Sequence, residues 1–190
     1  LALFSAGASV SKEFAPIARS QGLFVIDNSS AWREDSDIPL IVPEVNLEDY
    51  TLNRLIANPN CSTIQAVLPL KALQEAFGIQ RVNYSTYQAV SGSGQKGIQD
   101  LYRTQNDEEP ALYPYNISQT VIPEIDQPLE NGYTKEEQKM INETRKILHQ
   151  PDLPVSATCV RVPIENGHGV SVAVQLQKEF TIEEVKECLS

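Results

Sequence analysis

Cys61 falls where a turn hands over to an apolar-periodic segment, in the run Asn58-Pro59-Asn60-Cys61-Ser62-Thr63-Ile64-Gln65. Pro59 between two asparagines favours a turn. Ile64, Val67, Leu68, Ala72, Leu73, Ala76 and Phe77 then recur at helical spacing. Cys61 is therefore expected at or just before a helix N-terminus, where the macrodipole favours thiolate over thiol. The free backbone N–H groups of that turn suit an oxyanion. A nucleophile and an anion cradle would share one turn. Pro69, inside the segment, is expected to kink or shorten the helix. The competing reading is the ordinary fate of cysteine, a small buried hydrophobe that never reacts. Turn and helix alone leave both open.

A thiolate needs a proton carrier, and the chain has two histidines. His149 ends a helical segment in a His-Gln-Pro loop and is expected to be solvated. His168 stands between two glycines in a turn linking two strands, either idle at the surface or reaching into a cleft as an acid/base. Arg33 follows a strand end and reads first as a solvated cation. Arg161 lies in the apolar strand Ala157-Thr158-Cys159-Val160-Arg161-Val162, so burial would oblige it to find a carboxylate or phosphate. Glu136 and Lys139 share a helix face at i, i+3, the spacing of a surface salt bridge. The Gly/Ser loop Ser91-Gly92-Ser93-Gly94 is a weak candidate for holding part of a cofactor.

The elements that must place these groups read in order. Residues 1–4 form a strand, 5–9 a small-residue loop, 11–20 a helix weakened by Pro16 and closed by Gly22, and 23–26 a buried parallel strand. That is a βαβ unit, with Asp27-Asn28-Ser29-Ser30 at a strand's carboxyl end, where open α/β sheets bind ligands. Residues 38–45 are an apolar run broken by Pro39 and Pro43, and residues 51–57 lead into the cysteine turn. Strand composition returns at 81–90, helix at 97–105, an acidic exposed link at 106–110 and an irregular stretch at 116–125. Thr134 with Glu137 has capping-box spacing, and Met140, Ile141, Thr144, Ile147 and Leu148 share the helix face that follows. Pro151 and Pro154 stop it. Alternating strands at 155–164 and 170–176 are joined by a polar turn, and a last helix starts at Thr181. The pattern changes from doubly wound to α+β near Cys61, so a boundary is expected between residues 60 and 61.

Composition narrows the function class. A net charge of -10 over 190 residues argues against nucleic acid and anionic membranes as partners. No run of 18 apolar residues occurs, and no basic segment with an apolar stretch opens the chain. Three widely spaced cysteines, Cys61, Cys159 and Cys188, make neither a disulfide framework nor a metal cluster and fit a reducing cytoplasm. Five N-x-S/T sequons, at Asn28, Asn60, Asn83, Asn116 and Asn142, read as chance matches without a secretory signal.

Several stretches, in order, resemble the aspartate-semialdehyde dehydrogenase family. Asn58-Pro59-Asn60-Cys61-Ser62-Thr63-Ile64-Gln65 is similar to its active-site motif. The runs at 85–92 and 155–163, Asp27-Asn28-Ser29-Ser30 leading to Arg33, and Val42-Pro43-Glu44-Val45-Asn46 match as well. The resemblance covers essentially the whole chain. It implies an α/β fold: the remainder of a Rossmann-type NADP-binding domain over 1–60, then an α+β catalytic and dimerisation domain of the glyceraldehyde-3-phosphate dehydrogenase-like kind over 61–190.

The resemblance also implies roles. Cys61 becomes the acyl-enzyme nucleophile, His168 the acid/base, and Gln88 the group that contacts or orients the acyl intermediate. Arg161 and Glu136 hold the substrate's carboxylate and amino group. Arg33, Lys139 and Asn60 hold phosphate. Ser5, Ala6, Gly7, Ser91 and Gly92 border NADP. The implied reaction is NADPH-dependent conversion of aspartyl phosphate to aspartate semialdehyde and phosphate, in lysine, diaminopimelate, threonine and methionine biosynthesis. The implied enzyme is a cytoplasmic homodimer or homotetramer. The family's Gly-rich pyrophosphate loop and C-terminal portion do not occur between Leu1 and Ser190, so the chain is expected to be an excerpt, inactive alone. Rival readings are N-acetyl-glutamyl-phosphate reductase, a Cys–His hydrolase, and a non-catalytic oligomerisation module.

Overall fold

The computed structural model describes residues 1–50 and 52–190; Thr51, the start of the expected lead into the cysteine turn, lies outside the described residues. The chain forms two compact units. The first comprises Leu1–Ile79, Asn142–Leu153 and Leu176–Ser190, so the expected boundary between residues 60 and 61 falls inside it. The second comprises Gln80–Ile141 and Pro154–Gln175.

In the first unit, β1 (Ala2–Phe4), α1 (Ala8–Ser20) and β2 (Val25–Asp27) make the βαβ unit read from the sequence. A third strand, β3 (Leu55–Ala57), pairs parallel with β2 in the order β1-β2-β3. The apolar run at 23–26 gives only its second half to β2, which extends to the buried Asp27. Pro39 and Pro43 keep residues 38–45 from becoming a strand. The run is buried instead as an irregular segment entering α2 (Pro43–Asn46), with one bridge from Leu40 to Ala57. The Asn46 amide replaces the missing ladder: its Oδ1 accepts from Val42 N–H at 2.9 Å and its Nδ2 donates to the Leu40 carbonyl at 2.9 Å.

The helix carrying the cysteine, α3 (Cys61–Phe77), runs on through Pro69 to Gly78, so the expected shortening does not occur. Val67 before the proline and Leu70, Leu73 and Phe77 after it are buried. Each such side chain contributes roughly 1.5–3 kcal/mol on burial, which together outweighs the ~3 kcal/mol a helical proline costs. A last helix, α6 (Ile182–Cys188), packs on α3, with the Phe77 and Phe180 rings 6.0 Å apart.

The second unit is built on β4 (Ile79–Gln88), β5 (Val155–Arg161) and β6 (Gly169–Leu176), ordered β5-β4-β6. The two strands joined by the polar turn are thus not neighbours. β4 lies between them and pairs parallel with β5, bringing Gln88 opposite Arg161. After β4, α4 (Gln95–Gln105) shares a small core of Val90, Leu101, Ile117 and Ile122. The helix α5 (Lys135–Ile147) begins in this unit with the predicted capping box: Thr134 N–H donates to Glu137 at 2.8 Å and Glu137 N–H to the Thr134 hydroxyl at 3.3 Å. Among the described residues no helix is long and apolar enough to cross a membrane.

Candidate active site

In the first unit, Cys61 is the first residue of α3 and is exposed. Asn60 is the cap: its Oδ1 accepts from Ser62 N–H at 2.8 Å and Thr63 N–H at 3.3 Å. The cap corrects the expected oxyanion cradle, because two of the turn's donors are already committed to Asn60. The other cysteines differ from Cys61. Cys159 is buried, and desolvation pushes its thiol up to about 12, while Cys188 is half-buried.

Arg33 is buried rather than solvated, at 9% exposure. Its Nη1 pairs with Glu143 at 3.3 Å and its Nη2 donates to the Asn28 carbonyl at 3.0 Å. Its Nε has no hydrogen-bond partner among the described residues. The second Glu143 oxygen accepts from Asn60 N–H at 2.6 Å. Lys146, one turn along α5, donates to the carbonyls of Arg33, Asp35 and Ile38. Burial lowers its ammonium pKa.

In the second unit, the parallel register sets Gln88 and Arg161 side by side, both buried. Gln88 Nε2 donates to Glu136 and to the Thr86 hydroxyl, each at 3.2 Å. Glu136 pairs with Lys139 at 3.3 Å, as the i, i+3 spacing predicts, and Lys139 also holds Asp126 at 2.8 Å. Burial opposes the Lys139 charge, but the hydrogen bond to Asp126 and the two carboxylates outweigh it and raise its pKa above the ordinary lysine value.

Ala89 is gripped at both ends of its backbone. Its carbonyl accepts from Arg161 Nη1 at 2.7 Å, and its N–H donates to His168 Nδ1 at 3.0 Å. Because Nδ1 accepts, the proton of the neutral imidazole is on Nε2. Desolvation first, and the Arg161 charge second, lower the His168 pKa, with Glu136 opposing. Gly92 closes this corner. A Cβ there would stand 2.6 Å from Arg161 Nη1 and 3.2 Å from the imidazole, so only glycine fits without displacing them.

The residues expected to border the cofactor lie in both units. Ser5, Ala6 and Gly7 are exposed at the carboxyl end of β1. Gly7 caps α1 with φ 95° and no side-chain bond, and no acidic residue stands in the first turn. Ser91 and Gly92 lie in a short 3-10 turn of the second unit, where Gly92 already packs against Arg161 and His168.

Of the residues singled out from sequence, Cys61, Asn60, Arg33 and the Ser5 to Gly7 loop belong to the first unit. Gln88, Glu136, Lys139, Arg161, His168, Ser91 and Gly92 belong to the second. The three phosphate candidates divide between the two. Sequence reasoning missed Glu143, Asp126 and the Ala89 backbone. A signal existed for Glu143 alone, a carboxylate seven residues from Glu136 and flanked on the apolar face by Met140, Thr144 and Ile147.

Residues 1–52 match the family model described as semialdehyde dehydrogenase, NAD binding domain, and residues 70–190 match semialdehyde dehydrogenase, dimerisation domain. The whole chain aligns with the aspartate-semialdehyde dehydrogenases of Aquifex aeolicus at 51% identity, covering 58% of that protein, and of Bacillus subtilis at 50%, covering 59%. The crystal structure of aspartate semialdehyde dehydrogenase II complexed with ASA from Vibrio cholerae superposes with a TM-score of 0.93 at 45% identity, over 98% of this chain and 58% of that one. The Candida albicans enzyme with NADP superposes at a TM-score of 0.74 and 27% identity, over 99% of this chain and 54% of that one. The chain thus spans about three-fifths of the length of the curated relatives it matches.

Proposed function

From the premise that this chain belongs to the semialdehyde dehydrogenase family, we propose that the full-length protein is an NADP-dependent aspartate-semialdehyde dehydrogenase. It converts L-4-aspartyl phosphate to aspartate semialdehyde and phosphate in the aspartate branch of amino-acid biosynthesis. In this reading residues 1–60 belong to the NADP-binding domain and residues 61–190 to the catalytic and dimerisation domain. The enzyme works in the cytoplasm as a homodimer or homotetramer. The observation that carries the reading is Cys61, exposed at the capped start of a helix that follows a parallel strand.

The Cys61 thiolate attacks the acyl carbon of the aspartyl phosphate. The C–O bond to phosphate breaks, phosphate leaves, and a thioester remains on sulfur. Arg33, Lys139 and the amide of Asn60 hold the phosphate, two cations for a dianion. Arg161 forks onto the substrate carboxylate, and Glu136 takes its amino group. Gln88, hydrogen-bonded to Glu136, orients the acyl group. NADPH, when bound, supplies the hydride that reduces the thioester, and Ser5, Ala6, Gly7, Ser91 and Gly92 border it. His168 handles the proton as the C–S bond breaks, through the Nε2 that its bond to Ala89 leaves free to carry it. The direct test is phosphate-dependent formation of NADPH by the full-length protein with aspartate semialdehyde and NADP. Turnover without phosphate, or none, overturns the proposal.

A further inference from the structure

Glu143 is buried in the first unit, at 1% exposure, and none of the steps above uses it. A buried carboxylate is costly unless both oxygens are satisfied, and this one spends them on two different functional groups. Oε1 holds Arg33 at 3.3 Å and Oε2 holds the backbone N–H of Asn60 at 2.6 Å. Asn60 in turn caps the helix that begins with Cys61.

The same stretch of α5 also fixes the loop that carries Arg33. Asn142 donates to Glu34 at 2.7 Å, and Lys146 ties down the carbonyls of Arg33, Asp35 and Ile38 at 2.7–3.0 Å. Three residues of one helix thus clamp one loop, and Glu143 also reaches the turn before Cys61. We infer that Glu143 is a positioning residue for the phosphate step: it holds the Arg33 guanidinium and the entry to the Cys61 helix in fixed register. The inference rests on the phosphate role proposed for Arg33.

Glu143→Gln in the full-length protein keeps the volume but has one oxygen for two donors: with that oxygen on Asn60 N–H it sets an amide nitrogen against Arg33, and flipped it sets a neutral oxygen against Arg33 and an amide nitrogen against Asn60 N–H. The expected result is a KM for phosphate raised about tenfold, the worth of one charge-assisted hydrogen bond, with KM for the semialdehyde within about twofold. In an Arg33→Ala background the same change adds nothing more to the phosphate KM, because Glu143 acts through Arg33. Equal rises in both KM values, or full additivity with Arg33→Ala, overturn the inference.

A second readout needs no turnover: protection of Cys61 from iodoacetamide by inorganic phosphate. Half-protection shifts to about tenfold more phosphate in Glu143→Gln on the same bond. An unchanged midpoint, or no protection in the parent, overturns the inference, whereas lack of reductase activity in a protected parent overturns only the proposed reaction. Should Glu143→Gln fail to fold, Glu143→Asp keeps the charge and shortens its reach. A roughly threefold shift then supports the tie, as part of one such bond is lost, and none overturns it.

Discussion

Arg33 and Arg161 are both buried, at 9% and 6% exposure, and both leave Nε without a partner among the described residues. Their surroundings differ. Arg33 already has a carboxylate, Glu143, and a carbonyl. The recorded partner of Arg161 is a single carbonyl, that of Ala89. A buried cation beside only a neutral dipole lacks compensation and favours an incoming anion. Arg161 is thus suited to a fork onto a carboxylate that arrives with the substrate. Arg33 is pre-paired and pre-oriented, which suits a second, separately exchanged anion such as phosphate. The contacts of one arginine already compensate its charge, while those of the other leave room for the anion that the proposed reaction would bring.

The largest expected effect tests the Arg161 region. His168→Ala in the full-length protein lowers kcat by roughly 10²–10⁴-fold, while the thermal melt moves little because the ring stands in a turn between two glycines. A near-normal kcat gives the proton to another group, and a collapsed melt makes His168 structural. Next comes the contrast of thiols. At pH 8 a thiol near 12 is thiolate only to about one part in 10⁴, so brief iodoacetamide treatment labels the exposed Cys61 well before Cys159. Peptide mass spectrometry that finds Cys159 or Cys188 labelled first removes Cys61 as the nucleophile.

Arg161→Lys replaces a fork by a point charge. It is expected to lower kcat/KM for the semialdehyde by about a hundredfold with the phosphate KM unchanged. Arg33→Ala and Lys139→Ala are expected to do the reverse, raising the phosphate KM about tenfold each. Stability separates the two arginines further. Arg33→Ala removes the cation paired with the buried Glu143 carboxylate, leaving it the Asn60 N–H, and is expected to cost on the order of 3 kcal/mol. Arg161→Ala gives up one hydrogen bond, about 1 kcal/mol. Equal losses in the melts of the two variants mean that the two sites are compensated alike.

The parts of this contrast that sequence revealed are those fixed by neighbours along the chain. The apolar runs at 1–4 and 23–26 around a helical segment give the parallel βαβ unit. The asparagine turn before Cys61 gives a capped helix start, and Thr134 with Glu137 gives the capping box. The rest depends on residues far apart. Strands at 155–164 and 170–176 are legible as strands joined by a polar turn, but nothing local shows that β4, some 70 residues earlier, lies between them. Arg33 reads as a surface cation because Glu143, 110 positions away, cannot be assigned to it by spacing. The cap on Ser62 and Thr63 is local, yet helix-start logic counts those donors as free before asking whether Asn60 takes them.

The smallest expected effect is a shift in the titration of His168, and it tests whether Arg161 is uncompensated. Desolvation is the leading cause of the lowered imidazole pKa, the Arg161 charge is the second, and Glu136 opposes both. A lowered pKa keeps the ring neutral at neutral pH and moves its protonation below the ordinary histidine value. The acid limb of kcat therefore lies below that value as well. Arg161→Met removes the second cause and leaves the first, so the pKa should rise but stay below the ordinary value. The move should be small, since the two groups meet through the Ala89 peptide rather than directly. The readout is the imidazole C–H resonance of the full-length protein against pH, identified by its disappearance in His168→Ala. Glu136→Gln removes the opposing charge and should shift the same resonance the other way. If Arg161→Met leaves the midpoint in place while Glu136→Gln lowers it, the Arg161 charge is already neutralised by a group outside the recorded contacts. The distinction between the two arginines would then be lost.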